Sequence, residues 1–178
     1  MSETILQIST KVVYDNPWMT VREDEIERPD GSRGVYAYAD KPDFVLIIPM
    51  EDDGFHLVEE YRYPVRRRTW SFPQGTATAP TREEEAGIEL AEETGLRAAH
   101  WRLLGVLDNA HGLTSQRFHV YLATGLERGQ AVREHTEQDM RQRWVSRGEF
   151  ERMVRAGEVC DSSSVAAYAL LGLTPESG

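Results

Sequence analysis

Residues 44–50, Phe44-Val45-Leu46-Ile47-Ile48-Pro49-Met50, form an unbroken apolar run. Such a short run, rich in branched side chains, has the pattern of a strand buried on both faces. The turn signal Asp52-Asp53-Gly54 follows and leads into a strand pattern over 55–61, so the two read as a hairpin. Further strand patterns lie at 11–14, 19–22, 34–38, 70–72, 101–107, 117–123 and 143–145; Asp15-Asn16-Pro17 and Pro29-Asp30-Gly31-Ser32 supply turns between the first three. Helix signals are few. Thr81-Arg82-Glu83-Glu84 fits a capping box and Gly95 fits a helix stop. Ser146 can cap a helix over 147–156, and Asp161-Ser162 can cap a last one through Val165, Ala166, Ala169, Leu170 and Leu171. A mixed sheet with few helices predicts an α/β layered domain rather than a bundle or an all-β barrel.

The helix that starts near Thr81 carries an unusual charge pattern. Glu85, Glu89, Glu92 and Glu93 stand at i, i+4, i+7 and i+8, which places them within roughly one quarter of a helix circumference at about 100° per residue. Like charges at i, i+4 destabilise a helix by about 0.2–0.5 kcal/mol per pair, and no Lys or Arg inside the stretch sits four residues away to relieve them. A solvated acidic face is the usual fate of helix glutamates. The crowding is better explained by a cation seated on the acids. Oxygen ligands alone suit a hard divalent ion, Mg²⁺ or Mn²⁺, and hence work on phosphates.

At 178 residues the chain is expected to be one domain with a sizeable core. No apolar run approaches the roughly 20 residues of a membrane span, and Met1-Ser2-Glu3-Thr4 lacks the features of a signal peptide. Cys160 is the one cysteine, which leaves no disulfide framework or thiolate zinc site, so the expected compartment is the cytoplasm. A net charge of −10 argues against non-specific nucleic-acid binding. Against that background Arg62 and the run Arg66-Arg67-Arg68 read either as a solvated turn or as a patch that draws in a polyanionic substrate. Trp70 and Phe72 read as core, and His119 as a strand residue.

Gly75, a loop, and then Glu89-Leu90-Ala91-Glu92-Glu93-Thr94-Gly95-Leu96 resemble the Nudix box, G-x5-E-x7-R-E-U-x-E-E-x-G-U with U apolar. Every defined position of the second half is matched. Tyr61-Arg62-Tyr63-Pro64, Trp70-Ser71-Phe72-Pro73-Gln74-Gly75 and the closing segment from Val145 to Leu171 look like the ADP-ribose pyrophosphatase branch. There are departures. The first half is one residue short, its glutamate is missing near Pro80 or Thr81, and Ile88 replaces the box arginine. Ala110-His111-Gly112 stands where the branch usually carries Ser-Pro-Gly.

The resemblance implies a Nudix-type α/β/α sandwich with a mixed central sheet and an N-terminal antiparallel strand region. Residues 1–40 would form strands available for a homodimer and 41–178 the catalytic core. It implies a divalent-metal-dependent pyrophosphohydrolase cleaving ADP-ribose or a related nucleoside diphosphate derivative. The alternative, suggested by Ile88 and the missing glutamate, is a nucleotide-binding module with little catalysis. Carried over by position, Glu89 and Glu93 match the main metal ligands, Glu92 an auxiliary one, and the Gln74 carbonyl a further contact; Glu85 would partly replace the missing acid. Glu137 is the favoured base in the segment 134–139, with Gln138 the other residue the alignment allows there. Arg62, Gly75, His111 and Gly112 match substrate contacts, with Arg62 reading equally as a salt-bridge residue, and Trp18 and Tyr36 are candidates for a nucleobase pocket. The implied partner is a nucleotide-derived small molecule, with no nucleic acid and no membrane.

Overall fold

The structure, a computed structural model, describes residues 4–129 and 139–175. Two compact units emerge. One comprises the described residues up to Asp43 together with Asp108–Arg117; the other comprises Phe44–Leu107 and the described part of Phe118–Gly178.

The first unit is an antiparallel meander of β1 (Leu6–Asn16), β2 (Met19–Glu27) and β3 (Arg33–Asp40). Its first turn is closed by Asn16, whose Oδ1 accepts from the amides of Trp18 and Met19 at 2.9 Å each. Its second turn needs Gly31, which sits at φ +81°, a left-handed conformation costly for side chains with a Cβ. There Asp30 accepts from the Ser32 amide at 2.9 Å, and bonding to Ser32 holds its carboxyl below the usual range. The segment Asp108–Arg117 docks on β3: the Ala39 amide donates to Leu113 O, the Ser115 amide donates to Ala39 O, and the Ser115 hydroxyl donates to Asp40 at 2.7 Å.

The second unit is a seven-stranded mixed sheet. Along the main path lie β10 (Arg141–Ser146), β5 (Gly54–Arg62), β4 (Phe44–Glu51), β9 (Arg117–Arg128) and β8 (Leu96–Asp108). Short β6 (Arg67–Ser71) pairs with β5, and β7 (Gln74–Thr76) pairs with β4. β4 runs parallel to β9 and antiparallel to β5 and β7. It is the centre of the core because its two faces pack different layers. Phe44, Leu46 and Ile48 join Phe55, Phe72, Phe150, Met153 and Ala167 on the side of α2 (Arg147–Arg155) and α3 (Ser162–Leu173). Val45 and Ile47 join Ala86 and Leu90 of α1 (Arg82–Thr94) on the other. Fully burying each such aliphatic side chain contributes about 1.5–3 kcal/mol. Helices on both faces of a mixed sheet make the α/β/α sandwich that the sequence predicts.

The caps form where the sequence places them. Thr81 accepts from the Glu84 amide while Glu84 accepts from the Thr81 amide at 3.0 Å, a complete capping box, and Gly95 ends α1 at φ +72°. Ser146 and Asp161 cap α2 and α3. One region differs from expectation. Arg67 and Arg68 are not in a turn: they open β6, held by pairing with Arg62 and Tyr61 of β5, and only Arg66, at φ +54°, is a turn residue. The Trp101–Leu107 pattern also extends back to Leu96, so β8 starts directly after the helix stop. Among the described residues no helix is long and apolar enough to cross a membrane.

Candidate active site

The site is built on the junction between β7 and α1. Pro73 O accepts from the Ile47 amide at 2.9 Å, and β7 then pairs with β4 through Leu46–Gln74, Val45–Gly75 and Phe44–Thr76. The backbone at Gln74 and Gly75 is thereby fixed to the most buried strand of the sheet. α1 packs Ala86 and Leu90 against the same strand, which brings its acidic side against β7. A Cβ at Gly75 would overlap the Glu89 carboxylate. The approach is between strand backbone and the far end of the Glu89 side chain, so a side chain at position 75 would displace that carboxylate.

The four acids do not share one environment. Glu85 and Glu93 are buried, whereas Glu89 and Glu92 are partly exposed. Glu85 Oε2 accepts from the amides of Thr78 and Ala79 and from the Thr78 hydroxyl. Sequence reading places Glu85 with the metal carboxylates; in the structure its Oε2 also fastens the loop that leads into the helix, where it satisfies two amides. Ile88, in the place of the box arginine, is exposed and lines an apolar cleft with Pro80 and Trp101. Among the described residues no three His, Cys, Asp or Glu side chains are already gathered as a metal cluster.

Gln74 is tied to the opposite layer. Its Nε2 donates to Asp161 Oδ2 at 3.4 Å; the same oxygen caps α3 by accepting from the Ser164 amide and hydroxyl at 2.8 Å each. Ser164 Oγ in turn accepts from the Phe72 amide at 3.0 Å. The sequence reveals Asp161 as a cap but gives no signal of this second attachment.

Arg62, at the end of β5, pairs with Glu60 at 2.5 Å. Burial pushes the Glu60 carboxyl up, against the opposing pull of Arg62. Arg68 is committed elsewhere. Its guanidinium donates to Glu59 at 2.9 Å, to Asp139 Oδ2 at 2.5 Å and to Asp139 O at 2.8 Å. The bond from Arg68 holds the Asp139 carboxyl below its ordinary range, making it a poor proton acceptor near neutrality. Arg67 donates to Cys160 Sγ at 2.9 Å. The arginine run is therefore largely engaged by the protein itself. Glu137 and its neighbours Glu134 and Gln138 lie outside the described residues.

His111 and Gly112 belong to the first unit. They line a pocket of about 470 Å³ with Gln7, Asp24, Tyr36 and Tyr38, and Tyr36 donates its hydroxyl to Gly112 O at 3.0 Å. Asp24 is a residue that sequence reading misses: buried in β2, it accepts from Gln7 Nε2 at 2.8 Å. Trp18 is exposed at the β1–β2 turn.

Comparison with known proteins adds the family context. Residues 6–39 match the profile of the nucleoside diphosphate sugar hydrolase N-terminal domain, and residues 40–162 match that of the NUDIX domain. An ADP-ribose pyrophosphatase of Mycobacterium tuberculosis is 33% identical over 163 residues, spanning 89% of this chain and 79% of that protein. A CMP-5'-(N-acetyl-N-hydroxy-3-aminopropyl)phosphonate hydrolase of Streptomyces rubellomurinus is 26% identical over 167 residues, 92% of this chain and 80% of its own length. The crystal structure of an ADP compounds hydrolase superposes with a TM-score of 0.84 at 22% identity, covering 94% of this chain and 91% of that one, and so has the same fold.

Proposed function

This chain belongs to the Nudix family of hydrolases, and on that footing we propose that it is a divalent-cation-dependent pyrophosphohydrolase of ADP-ribose or a related nucleoside diphosphate derivative. The observation that carries this reading is the approach of Gly75 to the Glu89 carboxylate, which sets strand backbone and helix acid side by side. Glu89, Glu92, Glu93 and the Gln74 carbonyl are hard oxygen donors of the kind Mg²⁺ or Mn²⁺ takes. Mg²⁺ is ordinarily held by one or two carboxylates together with substrate phosphates, so a complete protein cage is not needed. When bound, such an ion neutralises charge on the diphosphate and acidifies water.

The chain's own residues supply the rest. Arg62, exposed at the end of β5 and paired with Glu60, binds a phosphate oxygen. Glu137 accepts the proton of the attacking water. Asp139, two residues on, is excluded from that role because Arg68 keeps it ionised and weakly basic. His111, Gly112 and Tyr36 are, by resemblance to the family, the chain's candidates for a nucleoside contact. The apolar side chains left exposed on β1 and β3, among them Leu6, Ile8, Val12, Val13 and Val35, support a homodimer formed through the N-terminal sheet.

The test is a panel of nucleoside diphosphate derivatives incubated with Mg²⁺, with Mn²⁺ and with chelator. ADP-ribose is expected to give AMP and a pentose phosphate with either metal and nothing with chelator. Undiminished hydrolysis in chelator, or no hydrolysis of any member, contradicts the reading.

A further inference from the structure

The pocket of about 470 Å³ in the first unit contains a carboxylate that the hydrolase reading does not use. Strand register builds its floor. Asp24 of β2 lies directly opposite Tyr36 of β3, so the two side chains leave the same face of the meander, and Tyr38 follows Tyr36 on that face. The segment Asp108–Arg117 supplies the rest of the wall through His111, Thr114 and Ser115. Asp24 is only 7% exposed. Its Oδ2 accepts from Gln7 at 2.8 Å, but Oδ1 is buried with no hydrogen-bond partner among the described residues. Burying a carboxylate oxygen unpaired is costly, and Asn in this place would remove the charge. A charge held at such a cost calls for a ligand that completes it.

The wall selects a ligand that brings donors and positive charge. Gln7 donates to Asp24, Tyr36 to Gly112 O at 3.0 Å, Thr114 to Asn109 O at 2.5 Å and Ser115 to Asp40 at 2.7 Å. Those donors are spent inside the protein, while hydroxyl lone pairs remain. The wall contains no Lys or Arg among the described residues, and Arg22, on the same face of β2, is held by Asp40 at 2.9 Å. Glu23 and Glu25, the neighbours of Asp24, deepen the negative field. Tyr36 and Tyr38 add aromatic rings, whose faces attract an ammonium. An anion such as phosphate would meet an unpaired carboxylate here. A primary ammonium carries compact charge and three donors, which suit Oδ1 and the flanking lone pairs.

We infer that this pocket is a binding site for a small primary alkylammonium ion, seated on Asp24 beside Tyr36 and Tyr38. It differs in kind from the nucleoside contact that family resemblance suggests for Tyr36, His111 and Gly112, and it stands apart from the hydrolase reading.

The experiment titrates full-length wild type, D24N and Y38L with n-butylammonium chloride, with neutral 1-butanol and with adenosine at constant ionic strength. Binding is followed by ligand-observed NMR and stability by thermal melting. The wild type binds the ammonium and ignores 1-butanol. D24N weakens the ammonium about tenfold, the scale of one charge-assisted hydrogen bond, and Y38L weakens it about threefold. The ammonium raises the melting temperature of the wild type but not that of D24N. Without ligand, D24N melts no lower than the wild type, because it removes an uncompensated buried charge. No ammonium binding by the wild type, equal affinity in D24N, or a ligand-free D24N that melts below the wild type overturns the inference. Adenosine bound in an Asp24-dependent way in place of the ammonium overturns it too. None of these readings uses turnover, so a chain that cleaves no diphosphate leaves the test intact.

Discussion

Two successive turns of α1 carry the same residue type in different employment. Near its start, Glu85 is buried and gives its oxygen to the amides of Thr78 and Ala79, fastening the loop. Four residues on, Glu89 meets a glycine backbone that leaves its carboxylate room. Spacing alone assigns both to one acidic face. What separates them is the partner that the tertiary structure brings: loop amides for one, the β7 backbone for the other. A carboxylate whose oxygen is taken by loop amides holds structure, while the one against Gly75 is the one proposed for a cation.

Substitutions along the helix sharpen this contrast. The largest effect is expected for E89Q, which keeps shape and removes charge: kcat for ADP-ribose falls by about 10³-fold, the scale seen when a transition-state electrostatic group is lost, with the melting temperature little changed. Steady-state kinetics beside calorimetry checks both halves. G75A comes next. Its methyl group displaces the Glu89 carboxylate, and a displacement of about 1 Å costs about 10²-fold in turnover; retention of wild-type kcat would break the contrast at its centre.

E85A inverts the pattern. Removing the latch leaves two loop amides without their acceptor, at about 1–3 kcal/mol for each buried group left unsatisfied, so unfolding in urea is expected to shift to markedly lower denaturant while turnover by the folded fraction suffers less than in E89Q. The smallest effect concerns a third carboxylate. Asp139 has its pKa lowered by Arg68, so its contribution to stability is present above the unfolded carboxylate pKa and is lost as pH falls through the folded value. D139N is expected to flatten the acid limb of the stability profile below about pH 4, the ordinary range for Asp, and to leave neutral stability nearly unchanged; the exposed pair is worth little there.

Much of the frame is legible in the sequence because its determinants are local. The apolar run at 44–50 becomes the central strand, and Thr81, Gly95, Ser146 and Asp161 act at the helix ends their chemistry predicts. Elements set by distant partners are harder to read. β1 runs from Leu6 although the sequence marks a strand only at 11–14, since its length follows from pairing with β2. Arg67 and Arg68 look like a solvated turn until β5 is placed beside them. Nothing local announces that residues 108–117 pack on β3, nor that Glu85 turns toward its own loop. In the site, the acids and Gly75 stand out by pattern. Asp24 does not, because one acid among several in β2 carries no signal until the pocket beside it is known.

Manganese titration followed by electron paramagnetic resonance addresses the central claim most directly. In the presence of ADP, wild-type protein is expected to remove the free-ion signal at stoichiometric concentration, and E89Q to leave it largely intact. If E89Q took up manganese as tightly as the wild type, the acids beside Gly75 would not be the cation's seat, and the account of this active site would fail.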